Sequence, residues 1–131
     1  MPGPTFAALR MLAGGCLAAV LAVGVPGVMA PARVPPTREE GERLAQAIGC
    51  AACHTITGVA QLGPSWLGLF GTRRTLANGT TVVADEAYLR KSIMEPAAKV
   101  VPGFEAPMPS YGGILDESQV ESLVLYIKGL P

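Results

Sequence analysis

Two hydrophobic patterns divide the chain. Residues 11–32, between Arg10 and Arg33, carry no charge over 22 positions. Beyond the Pro-rich stretch MAPARVPPT, residues 29–37, apolar positions recur at helical spacing. Gly41, Leu44, Ala45 and Ile48 form one stripe that runs into Cys50. Thr37 followed three positions later by Glu40 has the form of a capping box, and Glu39, Glu40 and Glu42 sit where the helix dipole favours negative charge. The small residues Gly41 and Ala45 predict that another element crosses this helix closely. A second helix of roughly ten residues is predicted from Asp85, with Leu89 and Ile93 turned inward and Pro96 stopping it after Glu95. A third starts at Asp116, with Gln119 as the reciprocal capping partner, and buries Val120, Leu123, Val124 and Ile127.

Between these helices the pattern dissolves into turn formers. In LGPSWLGLFGTRRTLANGTTVVADEAYL, Ser65 is expected to cap a short helical turn through Phe70 that Gly71 ends. Asn78-Gly79, between RRTLA and TTVVA, predicts a small hairpin with a two-residue loop. KVVPGFEAPMPSYGG, residues 99–113, contains Pro102, Pro107 and Pro109 with Gly103, Gly112 and Gly113, and must be loop. The reading is a mostly helical domain, residues 37–131, with an irregular middle and at most one hairpin, preceded by a leader and linker, residues 1–36. No internal repeat is visible.

The leader fits an export signal or a membrane anchor. Val28-Met29-Ala30 or Ala30-Pro31-Ala32 offers small residues for cleavage, although Pro31 disfavours a cut after Ala30. Retained, residues 11–32 match a span of about 20 apolar residues. Ala13-Gly14-Gly15-Cys16 resembles a lipid-attachment site, but most of the apolar run follows Cys16, the wrong order for that processing. All three readings place the domain outside the cytoplasm, in the periplasm or on the outer face of the cytoplasmic membrane.

Charge narrows the partners. Of the ten basic residues Arg10 and Arg33 precede the domain, which leaves eight against ten acidic ones, a formal charge of about −2. No basic surplus is present to hold nucleic acid. A domain of this size with few aromatics builds only a modest core, and a buried cofactor would complete it.

The chemistry concentrates in Cys50-Ala51-Ala52-Cys53-His54, which uses two of the three cysteines and the single histidine. A structural zinc site needs four ligands, and this chain has neither a second cysteine pair nor a second histidine. A thioredoxin-like dithiol belongs at a strand-to-helix junction, whereas this pair follows a helix. An accidental pair does not explain why the only histidine stands directly after the second cysteine. Covalent haem makes demands that the chain meets: two thioethers and an adjacent imidazole as the proximal ligand of iron. For the sixth ligand a second histidine is excluded, and Met94, Met108, a lysine or an open position remain. Met94 lies near a helix end and reads as a packing residue. Met108 lies between Pro107 and Pro109, whose rings stiffen the loop that aims it.

GERLAQAIGCAACH, LGPSWLGLFG, MPSYGG and LDESQVESLVLYIKGL together resemble the class I cytochromes c over residues 37–131. The resemblance implies a small all-α fold of three main helices around one covalent haem c, with irregular loops and a small hairpin. It implies haem attachment at Cys50 and Cys53 and iron ligation by His54 and Met108. Pro64 is similar to the family proline whose carbonyl receives the proximal imidazole N–H. Trp66, Arg73, Arg74 and Tyr111 are candidate donors to haem propionates, and Gly112-Gly113 is expected to let the distal loop turn tightly.

From GPSWLGLFG through ADEAYLRKSIMEPAAKVVPGFEAPMPSYG the wording is similar to cytochrome c domains that accompany subunit II of haem-copper terminal oxidases, without their copper-binding domain. The expected function is a single-electron carrier of a respiratory chain, not an enzyme in itself. Its partners would be a terminal oxidase or a cytochrome or quinol oxidoreductase. The alternative is a small haem enzyme or gas sensor whose distal ligand is displaced.

Overall fold

A computed structural model describes residues 1, 3, 34–105 and 107–131. The chain divides into two units, residues 1–31 and residues 32–131. The expectations about cleavage, anchoring and lipidation of the leader, Cys16 included, lie outside the described residues. No helix among the described residues is long and apolar enough to cross a membrane.

In the second unit α1 is Arg38–Ala47, β1 Arg73–Thr75, β2 Thr81–Val83, α2 Glu86–Met94 and α3 Glu117–Lys128. Single 3-10 turns follow α1 at Cys50–Ala52 and α2 at Pro96–Lys99. This is the expected all-α arrangement with one small hairpin. The helix starts follow the predicted chemistry: Asp85 and Asp116 cap α2 and α3, and at α3 the Asp116 and Gln119 side chains each receive the other's backbone N–H. The first helix uses half of its predicted box. Thr37 Oγ1 accepts from the Glu40 N–H at 3.1 Å, but the Glu40 carboxylate pairs with Arg43 and the Thr37 N–H goes to Ser122 Oγ at 3.3 Å. A tertiary contact has replaced the local one.

That contact lies where α1 crosses α3. A Cβ on Gly41 would stand 1.9 Å from the Ser122 carbonyl oxygen and 2.8 Å from Tyr126 Cβ, so the two backbones meet with nothing between them. Leu44 and Ala45 of α1 bury against Val120, Leu123, Val124 and Ile127 of α3. Leu89 and Ile93 of α2 join the same core, while Ile48 is only half-buried at its edge. Arg90 of α2 reaches Glu117 and Glu121 of α3, partly exposed pairs that add little to stability and mainly fix how α2 lies along α3.

Two local expectations are corrected. Asn78-Gly79 does not form a two-residue loop: the Gly79 N–H donates to the Leu76 carbonyl and the Leu76 N–H to the Thr80 carbonyl, both at 2.8 Å. Only Gly79 has positive φ there, at 80°, so residues 77–79 form a three-residue loop, a turn closed by a left-handed glycine. Ser65 starts no helical turn. Its hydroxyl accepts from the Leu67 N–H at 3.2 Å and donates to the Thr55 carbonyl at 3.1 Å, and Gly68 at φ 61° interrupts any helix before Phe70.

Alanine at Gly41 would gain helix propensity of about 1 kcal/mol, but the collision with the Ser122 carbonyl must push the helices apart. Gly41→Ala is therefore expected to destabilise the folded protein by about 2–3 kcal/mol, read as a lower denaturant midpoint.

Candidate functional site

The α1 helix ends at Ile48, and Gly49, at φ 84°, turns the chain in the left-handed region that side-chain-bearing residues avoid. Residues 50–54 then wind as one tight turn, with the Cys53 and His54 N–H groups both donating to the Cys50 carbonyl, at 3.1 and 3.0 Å. Spacings of three and four along such a turn put side chains on one face. Cys50, Cys53 and His54 accordingly line one cavity of about 740 Å³. This volume lies within the roughly 300–1,000 Å³ usual for cofactor sites.

The His54 ring is held from three sides. Its Nδ1 lies 2.8 Å from the Pro64 carbonyl, which can only accept, so in the neutral ring Nδ1 carries the proton and the Nε2 lone pair is free. The Trp66 indole stacks on the imidazole with centroids 5.0 Å apart and planes 15° apart, and itself meets Tyr126 of α3 edge-on at 6.2 Å. A Cβ on Gly63 would stand 2.5 Å from His54 Cε1, so only glycine lets the loop lie along the ring edge. Burial lowers the imidazole's pKa, against the smaller opposing effect of the Pro64 carbonyl. A neutral imidazole is the form that binds metal.

The rest of the wall comes from α2 and the loop after it. Tyr88, Leu89, Ser92 and Ile93 face the cavity from α2, and Val101, Phe104, Pro107, Met108 and Pro109 from the loop. Met108 lines the cavity and Met94 does not, although Met94 packs against the core. Burial raises the Cys50 thiol pKa, partly offset by the Tyr111 hydroxyl. The Tyr111 hydroxyl also reaches the Ile48 carbonyl, donating to it at 3.2 Å, which straps the loop after Met108 to the end of α1. Trp66 and Pro64 share the cavity wall, but Arg73 and Arg74 do not: both lie on β1, Arg73 exposed.

Tyr88 and Ser92 were missed by reading only Leu89 and Ile93 as inward. The four together make the i, i+1, i+4, i+5 stripe that a helix presents to one side. Gly63, Phe104 and Leu62 lie on loops where no periodicity exists to mark them.

A mostly apolar cavity with two unpaired thiols, a free imidazole nitrogen and a thioether in its wall suits a large flat apolar ring around a metal. Among the described residues no group of three or more His, Cys, Asp or Glu side chains is placed to hold a metal ion by itself. Ser92 lines the same cavity, and its buried hydroxyl has no hydrogen-bond partner.

The cytochrome c family model matches residues 38–131. The chain belongs to the cytochrome c family. Among solved structures it is similar to cytochrome cH from Methylobacterium extorquens, at 26% identity and a TM-score of 0.52, over 70% of this chain and 97% of that one. No curated protein sequence matches it. The cytochrome is thus a class I, mono-haem electron-transfer protein with one covalently bound haem c, and it works by meeting redox proteins. The residues present fit that cofactor, with Cys50 and Cys53 in the positions of the C-x-x-C-H attachment motif.

Acidic acetone is expected to leave haem on the wild-type cytochrome and to extract it from the Cys50→Ala/Cys53→Ala variant, with intact mass reporting the loss. Haem retained covalently by the double variant would disprove the assignment of both thioethers.

Proposed function

We propose that this cytochrome holds its iron between His54 and Met108 and carries single electrons in a respiratory chain, to or within a haem-copper terminal oxidase. The observation that carries the axial pair is the sharing of one cavity wall by Met108 with Cys50, Cys53 and His54, from which Met94 is absent.

Haem, when bound, supplies an iron that exchanges one electron between its ferrous and ferric states. The chain's own groups set the conditions. The Pro64 carbonyl fixes the tautomer and orientation of His54 and raises the basicity of Nε2. The soft sulfur of Met108 favours reduced iron and raises the potential. Apolar side chains around both keep the site dry, which limits reorganisation of solvent when the charge changes.

The distal loop argues for a permanent sixth ligand over the displaced one that an enzyme or gas sensor needs. Behind Met108, Ser110 Oγ donates to the Met94 carbonyl at 2.6 Å, the Tyr111 N–H to the Ile93 carbonyl at 3.2 Å, and the Tyr111 hydroxyl to the Ile48 carbonyl. Pro107 and Pro109 stiffen the backbone on either side. Moving the loop at the C-terminal side of Met108 would have to break several of these ties together.

The similarity of residues 63–112 to domains accompanying subunit II supports a haem-copper oxidase as the acceptor. The uncharged run at residues 11–32 supports export. Residues 1–36 would then be a signal or anchor with its linker, and residues 37–131 a domain working in the periplasm or on the outer face of the membrane.

Met108→Ala is expected to keep haem attached, to remove the absorption signature of thioether ligation, and to lower the reduction potential by on the order of 0.1 V, within the ~0.8 V that axial ligands span. An unchanged spectrum and potential would reject the axial methionine. Reduced full-length cytochrome is expected to be reoxidised, in a cyanide-sensitive reaction, by oxygen-respiring membranes of the cell that makes it. Membranes that oxidise a standard respiratory substrate but not this cytochrome would eliminate the oxidase as its acceptor.

A further inference from the structure

Ile56, Val59, Leu62 and Leu67 stand 46%, 67%, 66% and 39% exposed on one loop. No residue from Thr55 to Thr72 is charged. Single exposed apolar residues need no explanation, but this set differs in three respects. It occupies a segment without charge, it is held rigidly, and it begins at the rim of the redox site.

The rigidity comes from ties across the loop. The Thr55 carbonyl accepts the Trp66 N–H at 2.8 Å and the Ser65 hydroxyl at 3.1 Å, and Ser65 Oγ accepts the Gly58 N–H at 3.0 Å. The Thr55 hydroxyl donates to the Val59 carbonyl. A Cβ on Gly58 would touch Leu67 Cδ2 at 3.4 Å, so the two arms of the loop lie against each other. The Gly63 N–H donates to the Cys53 carbonyl at 2.9 Å, and Leu62, beside it, lines the cavity while remaining exposed. The patch is therefore continuous with the wall that carries the second thioether cysteine.

Charge is used elsewhere. Arg43 pairs with Glu40, Arg90 with Glu117 and Glu121, Lys91 with Glu95 and Lys128 with Glu86, all on or beside the helices. The charged side chains of the cavity wall, Glu95, Lys99 and Glu105, belong to the segment after α2.

We propose that loop 55–67 is the face on which this cytochrome docks for electron transfer, and that it fits a redox protein whose own docking face is apolar and uncharged. A charged partner face pressed here would lose its water and gain no counter-charge. Two apolar faces gain about 25 cal/mol per Å² covered, and the brief contact of an electron carrier needs an interface of less than about 1,200 Å². Encounter is then not steered by long-range charge, and its rate is nearly independent of salt. This inference rests on the chain's being an electron carrier, not on the identity of its acceptor.

Electron self-exchange between oxidised and reduced full-length holoprotein, followed by NMR line broadening, tests it without the acceptor, because each encounter offers the face an uncharged apolar equal. The wild-type rate is expected to change less than about twofold over a salt range that shortens the Debye length from about 30 Å to 8 Å. Ile56→Lys/Val59→Lys should slow exchange about tenfold at low salt through like-charge repulsion, with partial recovery as salt is added. Spectrum and potential should not move, since neither side chain lines the cavity. The neutral pair Ile56→Gln/Val59→Gln should slow exchange at every salt concentration. Exchange that rises or falls steeply with salt in the wild type, or runs as fast in both variants, overturns the proposal. So does a stable dimer in sedimentation that the lysines dissolve, since a second copy would then own the face.

Discussion

Where α1 meets α3, the Gly41 backbone lies against the Ser122 carbonyl at a distance that admits no side chain. The Ser122 hydroxyl, almost fully buried, receives the Thr37 N–H and donates to the Ser118 carbonyl, so the start of α1 is bonded as well as packed. The crossing sets where α1 ends, and hence where residues 50–54 begin their turn. A shift of one helix on the other would carry both cysteines and the histidine with it. The pentapeptide has no strong local structure of its own, being a single 3-10 turn after a left-handed glycine, so its orientation is inherited from this contact.

From there the order of the site passes through aromatic contacts to His54. Tyr126, one turn along α3 from Ser122, meets Trp66 edge-on, and Trp66 stacks on His54. The imidazole is thus linked, through Trp66, to the helix against which α1 packs, a second route that runs by the loop at residues 63–66. Pro64 adds the hydrogen bond that selects the tautomer. Rigid groups reached by two independent paths resist the small displacements that would vary a metal's ligand field, which is the geometric condition for a reproducible potential.

The helices were legible because their signals are local. Capping residues at 37, 85 and 116 and stripes of period 3.6 required no knowledge of the rest of the fold, and Gly41 with Ala45 announced a close neighbour by size alone. The attachment motif was legible because chemistry confines it to five positions. The hairpin loop and the supposed turn after Ser65 were misread for one reason. Asn78-Gly79 and Ser65 each support several local conformations, and distant partners chose among them: pairing of Leu76 with Thr80 in one case, the Thr55 carbonyl in the other. The bond from the Tyr111 hydroxyl to Ile48 was unmarked for the same reason, because Ile48 lies far back in the sequence. Side chains whose role depends on a long-range partner carry no periodic mark.

The size of the cavity explains why attachment is covalent in so small a domain. Core void costs about 24 cal/mol per Å³, and for about 740 Å³ that reaches the whole stability of a small domain, roughly 5–15 kcal/mol. Opening to solvent reduces the cost without removing it, since the wall is mostly apolar. The ring is therefore a part of the core, standing where a larger protein would place a further helix. Two thioether bonds at the C-terminal end of α1 make it a permanent part, present in the unfolded chain as well and restricting that chain's freedom beforehand. Folding then closes α2 and the Met108 loop over a surface already in place.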